Sequence, residues 1–229
     1  MISSLLKKII YSRPIQIIRH EAVPLVYPLF KNNAQKTFRF NGKNYHYFDH
    51  SYNNAWKNER TVEVPLAFEL LKKYKGKSIL EVGNVLNHYK KGTYDVVDKY
   101  EEAPHVINED IVDYKPKKKY DLILCLSTLE HVGWDEEPKD PTKTIQAVLG
   151  MKKLLAKGGL LFVTIPCGYN PPLDVLVLKK KIPFTQTYYL TRTTLLNEWR
   201  QVDEKDIPTM NYGIVIMSAK TLCVGVIQA

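Results

Sequence analysis

A regular alternation of apolar runs and helical segments between residues 78 and 165 restricts the fold of this chain more than any other feature. Each run is short, contains Val, Ile or Leu, and is typical of a buried strand. Strands that alternate with helices form βαβ units and a mostly parallel sheet. The runs cover residues 78–83, 94–98, 106–111, 120–126 and 160–165.

The segments around these runs complete the predicted architecture. Residues 61–74 carry apolar side chains at a helical spacing, and residues 141–155 form a second predicted helix. Two further apolar runs, 213–217 and 222–227, predict an antiparallel hairpin. We therefore expect an α/β fold with a Rossmann-like, doubly wound, mostly parallel sheet and a C-terminal antiparallel hairpin.

The first 60 residues differ from the rest of the chain. They are rich in Tyr, Phe, His and Asn without clean periodicity, so we expect an N-terminal extension, 1–60, that covers a core domain formed by 61–229. Residues 1–30 mix apolar and basic side chains but lack the continuous apolar region of a signal peptide. Such a segment packs on the protein's own body or lies on an anionic membrane surface. The expected location is cytoplasmic, with peripheral membrane contact through 1–30 as the alternative.

The composition excludes several classes of protein. With 45% hydrophobic and 25% charged residues, the chain has the balance of a globular protein rather than a fibrous or disordered one. The widely spaced Cys125, Cys167 and Cys223 lie in or beside apolar runs, which predicts buried reduced thiols rather than a disulfide framework or a zinc site. The net charge of +9 comes from scattered lysines. Without a basic stripe interleaved with aromatic residues, the sequence disfavours nucleic acid as a partner.

Acidic side chains stand at the ends of the predicted strands. In doubly wound sheets, ligands bind at the carboxyl ends of the strands, where a carboxylate can accept hydrogen bonds from both hydroxyls of a ribose. An acid in such a place can instead cap the next helix by accepting its first amide protons. The strand-end residues are Glu81 and Gly83, Asp98, Asp110, and Leu126 with Ser127.

The stretch from about residue 60 to 168 resembles the class I S-adenosylmethionine-dependent methyltransferase family, particularly its branch with a methyltransferase-11-like domain. The most diagnostic segments are Leu129-Glu130-His131-Val132 and the LLAKGGL segment, 154–160. The others are Ile79 to Gly83, Val97-Asp98, Asp110-Ile111 and Tyr120 to Ile123.

The resemblance implies S-adenosylmethionine as the cofactor. It places Gly83 against the methionine part, Asp98 on the ribose, and Asp110 with Ile111 at the adenine. Leu126 and Ser127 would line the path toward the transferred methyl group. The predicted cofactor-binding residues are Glu81, Gly83, Asn84, Asp98, Asp110, Ile111, Leu126 and Ser127.

The turn after the first strand departs from the family, which usually has G-x-G where this chain has Gly83-Asn84-Val85. Asn tolerates a left-handed backbone, so Asn84 could preserve the turn, whereas Val85 does not allow the same close backbone approach. Either the cofactor sits farther out, or the chain is a catalytically degenerate methyltransferase-fold binding module. A nicotinamide-dependent oxidoreductase would need two more glycines in this turn.

The resemblance implies methyl transfer to a small-molecule or glycan acceptor. The Tyr-rich loops, the polar aromatic N-terminal segment and a membrane-surface helix would suit a sugar hydroxyl, which favours O-methylation. A hydroxyl acceptor benefits from a general base, and His131 is the candidate catalytic residue, with packing or helix capping as its alternative role. Tyr169 and Asn170 should border the acceptor pocket. A nucleic-acid methyltransferase is the remaining enzyme alternative.

Two further groups of polar residues have competing interpretations. Arg60 could pair with the carboxylate of the cofactor or form an ordinary ion pair with Glu59 or Glu63. His46 and His50 stand four residues apart, but their aromatic context disfavours the helix that a shared metal site would need. No metal site is therefore predicted.

Overall fold

The computed structural model describes residues 36–194, 196–208, 210–213 and 218–229. Three α-helices lie within these segments: α1 (Arg60–Lys73), α2 (Lys143–Leu154) and α3 (Pro171–Leu178). The strands are β1 (Thr37–Phe40), β2 (Lys43–His46), β3 (Ile79–Val82), β4 (Asp95–Val97), β5 (Val106–Ile107), β6 (Tyr120–Leu126), β7 (Leu155–Pro166), β8 (Gln186–Arg192), β9 (Trp199–Val202), β10 (Tyr212–Gly213), β11 (Ser218–Ala219) and β12 (Thr221–Gln228).

Eight strands form one sheet in the order β5-β4-β3-β6-β7-β12-β8-β9. The first five are parallel to one another, and β12 joins them antiparallel to β7. The predicted mostly parallel, Rossmann-like sheet with antiparallel C-terminal strands is confirmed. The pairing of the C-terminal strands has one unexpected detail, because β12 lies between β7 and β8 while Gly213 pairs with Ser218 in a separate two-stranded sheet. Residues 214–217 lie outside the described residues.

The sheet is covered on both faces, as its apolar central strands require. Leu122 and Leu124 of β6 point into a core that contains α1 and the β1–β2 hairpin. Ile123 and Cys125 of the same strand point into the opposite core, which contains α2 and α3. All three cysteines are buried free thiols, as predicted.

Gly158 and Gly159, which follow the second predicted helix, lie within a strand. Helix α2 ends at Leu154 and the chain enters β7 at once. The register between β6 and β7 shifts in this region, so the two glycines lie in a bulge. A side chain at Gly159 would meet the carbonyl oxygen of Tyr120 at 2.8 Å, which explains the small residue there.

The described part of the N-terminal region packs against the far end of the sheet. Phe40 contacts Tyr188 of β8 edge-on, and the Tyr47 hydroxyl accepts a hydrogen bond from the Trp199 amide at 2.8 Å. The division at residue 60 stays a prediction, and the membrane contact predicted for 1–30 lies outside the described residues. Among the described residues, no helix is long and apolar enough to cross a bilayer, and no group of three or more His, Cys, Asp or Glu could hold a metal ion.

Candidate cofactor and acceptor site

A cavity of about 250 Å³ opens at the carboxyl ends of β3, β4 and β6. This is where a doubly wound sheet binds its ligands, and the volume is near the lower bound of about 300 Å³ for small-molecule pockets. Glu81 and Leu126 are fully buried and do not line the cavity. The predicted site residues that do line it are Gly83, Asn84, Asp98, Asp110, Ile111, Ser127 and His131.

Glu81 braces the turn that follows β3. Its Oε1 accepts hydrogen bonds from the amides of Val85 at 3.0 Å and Leu86 at 2.6 Å. Burial raises the pKa of Glu81 to about 7, although the two amides oppose this shift. The backbone amides of this turn therefore donate to a carboxylate of the protein itself. Only a three-residue 3-10 turn, Leu86–His88, follows.

The turn requires glycine at position 83 for two reasons, a left-handed backbone and the close approach of Thr128. Gly83 has a φ of 82°, and a Cβ there would lie 2.1 Å from the Thr128 hydroxyl oxygen. Asn84 does not have a positive φ, and Val85 has a φ of −99°. The left-handed residue is thus Gly83 rather than Asn84. Because Val85 is right-handed, the missing second glycine adds no backbone strain to the turn.

Asp98 is held rigidly at the end of β4. Its Oδ1 accepts from the amides of Tyr100 and Glu101, both at 2.8 Å, and its Oδ2 accepts from the amide of Asn84 at 3.0 Å. A carboxylate offers about four lone-pair sites, so about one is left for a ligand in the cavity. Asn84 adds a side-chain oxygen, Oδ1, that is buried without a hydrogen-bond partner in the described part of the chain.

Asp110 takes part in a cluster of charges that the sequence did not reveal. Its Oδ2 lies 3.0 Å from Lys99 Nζ and 2.7 Å from Lys143 Nζ, and both lysines also contact Glu136. Burial acts to raise the pKa of Asp110, but hydrogen bonds from Lys143, the Val112 amide and Lys99 outweigh it and hold the pKa below its usual value. An adenine amino group would share this carboxylate with two lysines.

Ser127 connects the cavity to the interior of the protein. It has a φ of 40°, an uncommon conformation for a residue other than glycine and one that often marks a functional site. Its hydroxyl donates to Glu63 Oε2 at 2.8 Å, and its amide donates to the Thr164 carbonyl at 3.0 Å. The carbonyl of Leu126 accepts from Arg60 at 3.3 Å.

His131 is oriented by a carboxylate and a tyrosine. Its Nδ1 lies 2.6 Å from Asp135 Oδ2, which also accepts a hydrogen bond from the Tyr169 hydroxyl at 2.7 Å. The Tyr169 ring packs edge-on against the imidazole at 4.6 Å. When Nδ1 carries the proton and donates it in a hydrogen bond to Asp135, the other ring nitrogen, Nε2, is free to accept a proton. Nε2 lies 3.6 Å from Glu130 Oε1.

Buried acids cluster behind Ser127 and His131. Glu59, Glu63 and Glu130 are 6%, 0% and 1% exposed. Arg60 pairs with Glu63 at 2.6 Å, so its ordinary ion pair is formed. Glu130 has no such Arg or Lys partner among the described residues. Nothing in the sequence indicates that this glutamate, in an apolar segment, faces other acids.

No family model matches this chain, and no curated protein matches it. Among solved structures, the chain is similar to the N-methyltransferase NodS from Bradyrhizobium japonicum WM9 in complex with S-adenosyl-L-homocysteine, at 13% identity and a TM-score of 0.46, over 89% of this chain and 97% of that chain. A SAM-dependent methyltransferase from Archaeoglobus fulgidus gives 13% identity and a TM-score of 0.46, over 78% and 98%. The sugar N-methyltransferase KedS8 from a Streptoalloteichus species gives 13% and 0.37, over 62% and 59%. At such identities the likeness concerns the fold alone, so activity has to be argued from the residues of the cavity.

Proposed function

We propose that this chain is an S-adenosylmethionine-dependent methyltransferase that acts on a small-molecule or glycan acceptor. The proposal depends mainly on what the backbone amides of the turn after β3 bind. In dinucleotide-binding folds, the amides at this turn and at the start of a long helix bind a pyrophosphate. Here the amides of Val85 and Leu86 bind Glu81 instead. The turn therefore suits a nucleoside cofactor without phosphates.

The residues of the cavity fit such a cofactor. Asp98, fixed by three amides, would accept a hydrogen bond from one ribose hydroxyl. Ile111 and Val132 would give the adenine an apolar wall. The buried Oδ1 of Asn84 offers an acceptor for a donor of the cofactor. S-adenosylmethionine, when bound, supplies a methyl group on a sulfonium, which an acceptor takes by in-line displacement as the S–C electron pair stays on sulfur.

His131 lines the cavity and is the group that would accept a proton from the acceptor. For a hydroxyl acceptor, which the sequence favours, His131 Nε2 is the base, with Asp135 and Tyr169 keeping the ring in place. Glu130, the buried acid next to His131, instead favours an amino acceptor, because a buried carboxylate is stabilised by a cationic ligand.

Titration calorimetry with S-adenosylmethionine and S-adenosylhomocysteine tests the cofactor. We expect one binding site per chain and no binding of NADH. Asp98→Ala should bind the cofactor about 10- to 100-fold more weakly, because a hydrogen bond to a charged group contributes about 1.5–3 kcal/mol. The control is Glu102→Gln, an exposed acid on the next loop, which should bind like the wild type. Absence of binding at millimolar ligand by a folded protein would remove the enzyme interpretation.

The acceptor class is tested with radiolabelled S-adenosylmethionine and fractionated glycans. Incorporation of label into a glycan fraction, reduced by His131→Asn, is the expected result. A protein that binds the cofactor but labels no glycan or small-molecule fraction would instead be the degenerate binding module.

A further inference from the structure

Three acidic side chains lie buried behind Ser127 and His131, and only one of them forms an ion pair with a described arginine. The carboxyls of Glu59, Glu63 and Glu130 are all more than nine-tenths buried. Buried carboxylates are stable only when a cation or several hydrogen-bond donors face them. We call these three residues the acid chamber.

The partners of two members of the acid chamber are in place. Glu63 pairs with Arg60 at 2.6 Å and accepts hydrogen bonds from the hydroxyls of Ser127 and Thr164. Glu59 accepts from the Ala219 amide at 3.1 Å. Both members are therefore supported from within the protein.

Glu130 is the member without such support. Its Oε2 is buried and has no hydrogen-bond partner among the described residues, and its Oε1 is 3.6 Å from the Nε2 of His131, which lines the cavity. Burial and the negative charges of Glu63 and Glu59 raise the pKa of Glu130 well above its usual value, although its own backbone amide and the positive charge of Arg60 oppose the shift. Glu130 does not itself line the cavity, so His131 separates its carboxyl from the cavity, and no described Arg or Lys forms an ion pair with it.

The two described arginines near these acids form no hydrogen bond with Glu130, although the charge of Arg60 acts on it. Arg60 uses NH1 on Glu63 and on the Leu126 carbonyl. Arg192 acts electrostatically on Glu59, but its NH2 donates to Ser218 and to the Ala219 carbonyl. Neither arginine supplies a donor to the Oε2 of Glu130, and an ammonium ligand would bring both a donor and a positive charge.

We propose that the acceptor is a primary or secondary amine that enters as its ammonium form and pairs with Glu130. This inference rests on the proposed function, deepens it, and replaces the hydroxyl acceptor that the sequence favours. Pairing gives the orphaned carboxylate a charged donor. Before transfer, the ammonium gives one proton to Glu130 and keeps a lone pair on nitrogen for the new N–C bond.

Binding of matched amines and alcohols, measured by calorimetry on the chain saturated with S-adenosylhomocysteine, tests the proposal without any turnover. The first pair is D-glucosamine and D-glucose, followed by other amine–alcohol pairs of equal shape. We expect the amines to bind about tenfold more tightly or better, since a charged hydrogen bond in a buried site contributes at least that factor. Titration in buffers of different ionisation enthalpy should show one proton released on amine binding, because the Glu130 carboxyl, whose pKa is raised in the free protein, ionises when the ammonium pairs with it.

The variant Glu130→Gln keeps the shape and removes the charge. It should reduce the amine preference to within about threefold and abolish the proton release. The control Glu204→Gln, an exposed acid distant in the chain, should keep both. Equal binding of amines and alcohols by the wild type, or an amine preference that survives in Glu130→Gln, would overturn the proposal.

The same experiments separate this proposal from the proposed function. Binding of S-adenosylhomocysteine without any amine preference refutes the amine acceptor and leaves the methyltransferase standing. Amine binding by a chain that does not bind S-adenosylhomocysteine supports the acid chamber as a cation site and refutes the methyltransferase.

Discussion

Gly83 and Gly76 are two left-handed glycines that differ in their surroundings. Gly83 has a φ of 82° and lies against Thr128, whereas Gly76 has a φ of 77° and no described atom within 4 Å of the position that a Cβ would take. Gly76→Ala should cost about 1–2 kcal/mol of unfolding free energy through backbone strain alone. Gly83→Ala should cost about 1–3 kcal/mol more, because the Thr128 side chain must move. Urea denaturation of both variants gives the comparison.

The contact with Thr128 is isolated by a second pair of variants. In the Thr128→Ala background, the extra cost of Gly83→Ala should shrink toward the cost of Gly76→Ala. An unchanged difference between the two glycine variants would show that Thr128 does not explain the requirement for Gly83.

At the scale of residues, sequence patterns locate side chains better than they assign partners. The strand-end rule brought Asp98, Asp110 and Ser127 to one cavity. It did not reveal that Glu81 faces the turn, because capping and ligand binding require the same residue types. Nor could it reveal Glu130, since an unbalanced charge is visible only when side chains distant in sequence are brought together.

Helix α3 is held by one side chain to the segment that carries Glu130 and His131. The Asn170 side chain accepts from the Leu173 amide at 3.1 Å as the N-cap and donates to the Glu130 carbonyl at 2.9 Å. Asn170→Ala should lower the unfolding free energy by about 0.5–2 kcal/mol through the lost cap, and by about 1–3 kcal/mol more through the unpaired carbonyl. Urea denaturation measures the sum.

Asn170→Ser distinguishes the two contributions. Serine is a good N-cap but cannot reach the Glu130 carbonyl with an amide, so this variant should be more stable than Asn170→Ala and less stable than the wild type. Equal stability of Asn170→Ala and the wild type would exclude the role given to this side chain.

Elements with strong local signals are predictable from the sequence, and those with weak signals are not. The predicted helix over 61–74 corresponds to α1, and the run over 120–126 corresponds to β6. Helix α3 is not predicted, because Pro171-Pro172 also fits turn chemistry, although Asn at the N-cap followed by Pro at the first helical position favours a helix. Strand β12 is predicted, but its place between β7 and β8 depends on contacts distant in sequence.

The buried acids make the stability of the whole molecule depend on pH. Burial raises the pKa of both Glu59 and Glu81 to about 7, above the value near 4.5 expected in the unfolded chain. Their contribution is fully present below pH 4.5 and is lost as the pH rises toward 7. We expect the unfolding free energy to fall over this interval by about 1.4 kcal/mol per pH unit for each such carboxyl.

Urea denaturation at pH 5, 6 and 7 measures this slope. Glu81→Gln should flatten it, whereas Glu204→Gln, which changes an exposed acid, should leave it unchanged. An unfolding free energy that rises from pH 5 to pH 7 would contradict the assignment of these acids as buried groups with raised pKa values.

A crystal structure of the chain with S-adenosylhomocysteine tests the central claim most directly. We expect a ribose hydroxyl within hydrogen-bond distance of Asp98, the adenine against Ile111, and the amides of Val85 and Leu86 still bound to Glu81. A nucleoside bound elsewhere, or a ligand whose charged groups take the Val85 and Leu86 amides from Glu81, would contradict it.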